Sequence, residues 1–308
     1  MSGIGSSNRR KFLAQAAGAA GVMMVASRVS AQDNHETSEF LPPEPANGKT
    51  MDLSDGGKLY YIDSGGEGEV VLLLHSMTGS ARVWEHQWDV LKDAGYRVIA
   101  YSRRGHWGSS PINPANMGTG AQDLKDLMDG LGIKKFHAMG TAGGGYYLND
   151  FAVKWHGMLA SMTLACSIMA INELDFQELR GRHRPGDRLV GMPSSFLELS
   201  PNYRAGHPEG RKRWEALEHV ARYDNKLMQP LMHGVTWEEV GQISCPVQLI
   251  AGGVDQLCTP TLMDYTAPRF RNAVSRVVNN VGHSAHWEDP KSFNTLLLAF
   301  MAQHGSKA

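Results

Sequence analysis

The sequence predicts an α/β fold, built on a doubly wound, mainly parallel sheet that carries a helical insertion. The first observation is the unbroken apolar run from Val70 to Leu74, which is typical of a short strand covered on both faces. The second is that further strand-like segments alternate with amphipathic helices, as right-handed crossovers between parallel strands require. The third is a polar interval over 168–240 that interrupts this alternation before it resumes.

Each element follows from local periodicity. An alternating segment, "KLYYID", and the spacing of apolar residues over the rest of the chain predict the other strands and helices. The predicted strands cover 70–74, 97–101, 136–139, 159–165, 246–251 and 275–278. The predicted helices cover 81–96, 121–132, 145–155, 208–223 and 290–303, the fourth of them inside the polar interval. An insertion at this point predicts a helical cap over the carboxyl edge of the sheet.

Composition sets the class of protein. The 308 residues are 42% hydrophobic and 20% charged, as in an ordinary globular protein with a sizeable core. A formal net charge of −1 gives no electrostatic case for nucleic acid as a partner. The three cysteines, Cys166, Cys245 and Cys258, have no CxxC spacing, so no zinc or redox motif is indicated. One disulfide among the three is possible, and the sequence does not determine which two would form it.

The N-terminal 31 residues have the pattern of a targeting segment. Arg9 and Arg10 precede an apolar run rich in Ala and Gly, and "VSA" ends at Ala31, which resembles a twin-arginine export signal with its cleavage site. The alternative is an amphipathic or membrane-spanning anchor, but the run over 12–27 is short for a span of about 20 residues. The resemblance implies a periplasmic or secreted protein that contacts the export machinery transiently and keeps no stable membrane anchor.

These boundaries divide the chain. The expected parts are an export signal (1–31), an extended linker (32–48), a core formed by 49–167 and 241–308, and a helical cap (168–240). Residues 1–31 hold four basic and no acidic groups, which leaves 26 Lys and Arg against 31 Asp and Glu, a net charge of −5 for the mature chain.

Loops that follow parallel strands meet at the carboxyl edge of a sheet, where ligands bind. Four groups of residues are expected there. They are "HSMTGSARVW", "YSRRGHWGSSP", "GTAGGGYY", and the pair "GGVDQLCTP" and "NNVGHSAHWEDP".

Through these loops the chain resembles the α/β-hydrolase fold superfamily over residues 50–304. The segment His75–Gly79 is similar to the family's oxyanion loop, with Ser76 in the usual glycine place, and Arg104–Ser110 is similar to its "RGxGxS" motif with one residue extra. Gly140–Gly144 aligns with the nucleophile elbow, Gly-x-nucleophile-x-Gly. The late acid of the family falls on Asp255. Its histidine falls on His283, followed by Glu288 and Pro290 as in the pattern.

The resemblance implies a role for each of these positions. Asp255 would orient His283, which would serve as the base. Backbone amides of Met77 and Gly143 would form the oxyanion hole. The nucleophile position is Ala142, whose methyl group cannot attack a carbonyl, so serine acyl-enzyme chemistry is excluded at this residue.

Two side chains near the elbow are weak replacements for the missing hydroxyl. Thr141 is adjacent, but a sharp turn points its side chain elsewhere, and Cys166 is more typical of a small core residue than of a nucleophile.

Further loop residues are candidates for contact with a small-molecule substrate: His75, Ser76, Trp107 and Tyr146. For His75, as for His106, a structural hydrogen bond is the more common role. The run "RGRHRPGDR" in the cap could bind an anionic substrate, although such runs are more often solvated.

No cofactor or metal is indicated. His286 lies three residues after His283, but no third metal ligand is identifiable. The glycines over 143–145 lack the spacing and the Lys-Ser/Thr pair of phosphate-binding loops.

Four functions fit these residues. The leading prediction is hydrolysis of a small ester, lactone or diketone-type substrate by a His283–Asp255 dyad that activates water. The same dyad could instead abstract a proton without hydrolysis, as a C–C lyase or a cofactor-free oxygenase. The third hypothesis is a non-catalytic binding protein. The fourth is a serine hydrolase in which a serine at position 142 has been replaced to inactivate it.

Overall fold

The computed structural model describes residues 39–183, 189–223 and 227–305. The predicted export signal (1–31), the linker up to residue 38 and residues 184–188 of the arginine-rich run lie outside the described residues. Within the described part of the chain, no helix is long and apolar enough to cross a membrane.

A single sheet organises the described residues. Its eight strands are β1 Gly48–Asp52, β2 Lys58–Asp63, β3 Val70–Leu74, β4 Arg97–Tyr101, β5 Phe136–Thr141, β6 Leu159–Ala165, β7 Val247–Gly252 and β8 Ala273–Val278. Their order across the sheet is β1-β2-β4-β3-β5-β6-β7-β8. Strand β2 runs antiparallel to both of its neighbours, β1 and β4, and every pair from β4 to β8 is parallel. The predicted mainly parallel α/β sheet is confirmed.

Helices cover both faces of the sheet and fill the insertion. The α-helices are α1 Trp88–Asp93, α2 Gly120–Gly130, α3 Gly143–Trp155, α4 Leu174–His183, α5 Ser194–Glu198, α6 Pro201–Gly206, α7 Pro208–Ala221, α8 Trp237–Gln242, α9 Pro260–Thr266, α10 Ala285–Glu288 and α11 Pro290–His304. Short 3₁₀ turns occur at Ala81–Val83, His156–Met158 and Ala267–Arg269.

Strand β3 shows why the central strands read as continuous apolar runs. Leu72 and Leu74 belong to one buried cluster, and Val71 and Leu73 belong to a second cluster on the other face. Successive side chains of a strand alternate between faces, so a strand covered on both sides is predominantly apolar. The two clusters form the layers of core above and below the sheet.

The helix predicted over 81–96 is wrong in its extent. The chain forms a 3₁₀ turn at Ala81–Val83, a turn at Trp84, and a helix only over Trp88–Asp93. The side-chain amide of Gln87 is buried and donates to the His286 carbonyl (2.8 Å) and to Asn294 Oδ1 (3.1 Å). These bonds to a distant part of the chain accompany the break, which apolar spacing alone does not reveal.

The insertion between β6 and β7 contains α4 to α8 among the described residues. The chain beyond α5 is tied to the loop after β8, because Ser200 N–H and Gly282 N–H both donate to Glu288 Oε1 at 3.0 Å. The inserted segment therefore contacts the same edge of the sheet at which the motif-bearing loops end.

Candidate active site

The elbow at the end of β5 has the backbone conformation of a nucleophile turn without the nucleophile. Ala142 adopts φ 47° and ψ −111° and immediately precedes α3. A non-glycine residue with positive φ is strained by roughly 1–3 kcal/mol, and it persists only where its surroundings hold it. Three hydrogen bonds do so here: Ala142 N–H donates to Ala165 O (2.8 Å), and Ala142 O accepts from Tyr146 N–H (3.1 Å) and Ser167 Oγ (2.7 Å).

Glycines make this turn possible because the backbone passes so close to its neighbours. A Cβ on Gly140 would lie 2.6 Å from the Gly144 carbonyl carbon, and one on Gly144 would lie 2.0 Å from Leu74 O. Real Cβ atoms do not approach other atoms so closely. The glycine pattern that identified the elbow in the sequence is therefore a packing requirement between β5, α3 and the end of β3.

Asp255 and His283 are in contact, as their positions after β7 and β8 predict. His283 Nδ1 lies 2.7 Å from Asp255 Oδ2, and both side chains are buried. The other carboxylate oxygen of Asp255 accepts the amide protons of Leu257 (2.7 Å) and Cys258 (2.9 Å). The carboxylate is thereby fixed in position and can orient the imidazole.

The electric environment makes His283 a stronger base than a free histidine. Burial acts first and lowers its pKa, but the charge and hydrogen bond of Asp255, with the carboxyls of Glu198 and Glu288, raise it by more. The net effect is a raised pKa for His283. His286, one turn further on, behaves oppositely, because burial lowers its pKa to about 3 and keeps its imidazole neutral.

Glu198, at the end of α5, connects three parts of the site and was not predicted. Its carboxyl accepts from Thr78 Oγ1 (2.8 Å) and Ser284 Oγ (3.2 Å), and its backbone oxygen accepts from Ser284 N–H (3.1 Å). Burial raises the pKa of Glu198, and the nearby His283 lowers it in part. A carboxyl from the inserted segment thus joins the oxyanion loop to the residue after the base.

The two predicted oxyanion donors lie in adjacent segments. A Cβ built on Gly143 would lie 3.0 Å from the Met77 backbone nitrogen and 2.5 Å from Met77 Cγ. Gly143 is also the first residue of α3, where backbone N–H groups have no partner within the helix. The loop after β3 therefore lies against the N-terminal turn of α3.

His75 is fully buried, and both of its ring nitrogens have partners in the protein. Its Nε2 lies 3.0 Å from the Arg103 amide nitrogen and its Nδ1 lies 2.7 Å from Ser76 O. No ring nitrogen of His75 is left for a substrate, so we place it behind the site. Ser76 Oγ is hydrogen-bonded to Thr78 Oγ1 at 2.8 Å, and it thereby joins the hydrogen-bond network of Glu198.

The other predicted substrate contacts are placed differently. The Trp107 ring packs against Tyr60 (centroids 4.8 Å apart) and under the Arg82 guanidinium (4.7 Å), beside the antiparallel end of the sheet. Tyr146 is partly buried in the first turn of α3, one turn from Ala142. Tyr146 stays a predicted substrate contact, whereas the Trp107 ring contacts Tyr60 and Arg82 of the scaffold.

The three cysteines are free and buried. Burial raises the pKa of Cys166 well above the usual value, and Asp255 raises it further, so its thiol stays protonated and weakly nucleophilic. Thr141 is 1% exposed within β5. Within the ranges that the structure describes, no three His, Cys, Asp or Glu side chains are grouped as a metal site would need.

The described residues combine an α/β sheet with a strained elbow at Ala142, a buried contact between Asp255 and His283, and a loop after β3 that lies against the first turn of α3. The chain belongs to the Alpha/beta hydrolase family, whose model matches residues 71–296.

Its relatives include named hydrolases. It is 34% identical to the 2-hydroxy-6-oxononadienedioate/2-hydroxy-6-oxononatrienedioate hydrolase of Escherichia coli (strain K12), covering 88% of this chain and 98% of the relative. It is 28% identical to the 2-hydroxy-6-oxo-6-phenylhexa-2,4-dienoate hydrolase of Comamonas testosteroni, over 82% of this chain and 93% of that one. The family match and the hydrolase names of these relatives together show that the chain is a hydrolase.

The fold also matches solved structures. A thermophilic esterase from Thermogutta terrifontis superposes with a TM-score of 0.68 at 22% identity, over 84% of this chain and all of the esterase. At this identity the likeness supports the shared fold alone.

Proposed function

We propose that the protein hydrolyses a carbonyl compound by direct attack of water, with His283 as general base. The observation that carries the proposal is the buried 2.7 Å contact between His283 Nδ1 and Asp255 Oδ2, at a site whose elbow residue is Ala142. A histidine and a carboxylate that can orient it are in contact, and the elbow position has no hydroxyl for them to activate. Water is the reactant that remains.

The reaction balances without a covalent intermediate. His283 Nε2 takes a proton from water as the water oxygen bonds to the substrate carbonyl carbon. The carbonyl oxygen becomes an oxyanion, which accepts hydrogen bonds from the amides of Met77 and Gly143. When the tetrahedral adduct collapses, the bond to the leaving group breaks, and the leaving group takes the proton from His283. One water is consumed, with its OH on the acyl product and its H on the leaving group.

The substrate must have a good leaving group, because the attack lacks an activated serine. Esters and lactones expel an alkoxide. A diketone-type compound expels a carbanion that its second carbonyl stabilises as an enolate. The hydrolase names of the relatives describe 2-hydroxy-6-oxo dienoates, which are conjugated ketones of this kind. Within the proposal we therefore rank a diketone-type C–C bond first, and esters and lactones second.

The test is turnover by the mature protein of three compounds: p-nitrophenyl acetate, a γ-lactone and 2-hydroxy-6-oxo-6-phenylhexa-2,4-dienoate. We expect His283→Ala to lower kcat by about 10²–10⁴-fold, the usual contribution of a general base. His304→Ala, at the end of α11, is the matched control and should leave kcat unchanged. Ala142→Ser should acquire covalent labelling by a fluorophosphonate, to which the parent is inert.

The outcomes separate the alternatives. Parent activity that survives His283→Ala contradicts the mechanism. If the parent shows no turnover and Ala142→Ser is active, the protein is a serine-hydrolase scaffold whose nucleophile has been removed. Deuterium exchange at an acidic C–H bond, without cleavage, assigns the dyad to proton abstraction. Ligand binding with none of these reactions supports a binding protein.

We also propose that the protein acts outside the cytoplasm, on the strength of the pair Arg9 and Arg10 before an Ala/Gly-rich run that ends at Ala31. Fractionation of a host with a twin-arginine pathway tests this. The wild-type leader should deliver a protein cleaved after Ala31, and a variant with both arginines changed to lysine should stay inside. Equal export of the two would contradict the proposal.

A further inference from the structure

Arg103, in the loop after β4, is a buried cation beside the oxyanion loop. It is 2% exposed, and its guanidinium lies over the ring of Tyr147 (5.2 Å to the centroid). Burial lowers its pKa to about 10, and Arg222 acts in the same direction, so Arg103 is still a cation at neutral pH. Among the residues that the structure describes, no carboxylate forms a hydrogen bond or salt bridge with it. A buried charge without a counter-charge is expensive, which calls for an explanation in function.

The guanidinium donates to the two carbonyls at the start of the oxyanion loop. Nη1 donates to His75 O, and Nη2 donates to Ser76 O at 2.9 Å. The same Nη2 lies 3.6 Å from Met77 Sδ. Arg103 therefore holds the backbone directly before Met77, whose amide is a predicted oxyanion donor.

His75 adds a second donor to the same carbonyl, and its tautomer is determined by its neighbours. The Arg103 amide can only donate, so His75 Nε2 accepts (3.0 Å) and Nδ1 carries the proton. That proton is donated to Ser76 O at 2.7 Å. Burial, followed by the charge of Arg103, lowers the pKa of His75 well below its usual value, so the ring is neutral as this arrangement requires.

Ser76 C=O and Met77 N–H are the two ends of one peptide group. Hydrogen bonds to an amide oxygen draw electron density toward it and make the N–H of the same peptide more positive, by an order of 10–30% in bond strength per added bond. The Ser76 oxygen receives two such bonds, one from a cation.

We propose that Arg103, together with His75, is a positioning residue that polarises the Ser76–Met77 peptide and so strengthens the Met77 amide as an oxyanion donor. This inference rests on the proposed function for its kinetic consequence. An enzyme that attacks with water, and not with an activated serine, depends more on stabilising the oxyanion. The field of a buried cation that has no carboxylate partner among the described residues favours the anionic adduct over the neutral substrate.

The kinetic experiment compares Arg103→Met and Arg103→Lys with the parent. Arg103→Met should lower kcat by about 10- to 100-fold with KM nearly unchanged, less than the 10²–10³-fold cost of losing an entire oxyanion donor. Arg103→Lys should fall between, because an ammonium lacks the planar fork that reaches both carbonyls. The control is Arg97→Met at the opposite end of β4, whose guanidinium binds Asp63 (2.6 and 3.0 Å) and should not affect kcat.

A spectroscopic arm needs no turnover. Acetophenone labelled with ¹³C at its carbonyl, at saturating concentration, should show a bound C=O stretch below the frequency of the free ketone. The bound band should move back toward the free frequency in Arg103→Met and stay in place in Arg97→Met.

The two arms keep the two proposals apart. A parent without turnover contradicts the proposed function, and the infrared band then decides the role of Arg103 alone. An active parent whose kcat and band are the same in Arg103→Met contradicts the polarisation. A variant that loses stability while kcat and band persist assigns Arg103 a purely structural role. No shifted band in the parent also overturns the inference.

Discussion

Replacing Gly144 by alanine tests whether the elbow is held by close backbone packing. The added Cβ would lie 2.0 Å from Leu74 O and 2.8 Å from His75 O. Both atoms belong to the backbone at the junction of β3 and the oxyanion loop, so no side-chain rotation can relieve the overlap. Ordinary contact begins at 3.4 Å, which requires Leu74 O and the new Cβ to separate by about 1.4 Å.

The loss in the free energy of unfolding depends on which atoms must move to make room for the new Cβ. Overpacking of a core site typically costs about 1–3 kcal/mol, and a rigid backbone neighbour places Gly144→Ala at the upper end, about 3 kcal/mol. For a domain of this size that is a fall in Tm of roughly 6–12 °C. Gly143→Ala should cost less, about 1 kcal/mol, because its closest neighbours are Cγ and Sδ of the flexible Met77 side chain.

Gly181→Ala is the matched control. Gly181 lies inside α4, and its Cβ would meet no atom within 4 Å. Alanine there should stabilise the protein by roughly 0.5–1 kcal/mol, the usual gain over glycine inside a helix.

Scanning calorimetry and urea unfolding of the three variants measure the order of stability. We expect Gly144→Ala to be the least stable, followed by Gly143→Ala, the parent and Gly181→Ala. If Gly144→Ala unfolds within 1 kcal/mol of Gly181→Ala, the close approach of α3 to β3 is not what holds the elbow.

Three further predictions concern charges. Arg104→Met should destabilise the protein by about 3–5 kcal/mol in urea unfolding, because it strips a bidentate partner (2.8 and 2.8 Å) from the buried carboxylate of Asp123. Glu198→Gln should move the acid limb of the kcat–pH profile to lower pH. The Glu198 carboxylate raises the pKa of His283, and the base works only when neutral, so a lower pKa makes it competent at lower pH. Asp255→Asn should reduce kcat by about 10²–10⁴-fold at constant KM, because the charge that orients and stabilises His283 is lost.

Each of these has its own control. Lys92→Met removes a partner from an exposed ion pair (3.3 Å) and should change stability by less than about 0.5 kcal/mol, so a similar value for Arg104→Met would contradict the first prediction. Glu85→Gln removes a charge that is paired with Arg213 on the surface, and it should leave the acid limb in place. An unmoved limb in Glu198→Gln would mean that Glu198 has a structural role only. Unchanged kcat in Asp255→Asn would remove the dyad from the mechanism.

The parallel strands could be predicted from the sequence because their environment is uniform. The segments 70–74, 97–101 and 159–165 appear in the structure with the predicted bounds. A strand buried on both faces is rich in apolar residues, and the sequence shows this directly. The helix over 81–96 failed because Gln87 binds residues about 200 positions away, and such contacts leave no trace in local spacing.

The same distinction applies to the site. Contact between Asp255 and His283 was predictable because each follows a strand of a known type of sheet, and neighbouring parallel strands bring their following loops together. The position of Glu198 was not predictable, because its partners Thr78 and Ser284 are 120 and 86 residues away. Nothing in "SSFLELS" distinguishes a buried glutamate from an exposed one. Nor did the motif reveal that Arg104 pairs with Asp123 whereas Arg103 has no carboxylate partner among the described residues.

The conformation of Ala142 argues that the elbow serves the backbone of the site. A residue at φ 47° is strained, and the strain would serve no purpose if the turn only displayed a methyl group. The same turn places the Gly143 amide at the N-terminus of α3 and brings α3 against the loop that contains Met77. A donor formed by the backbone does not depend on the side chain at 142. Under the proposed attack by water, the Met77 and Gly143 amides would bind the oxyanion and His283 would act as the base, and none of these groups needs a serine at position 142.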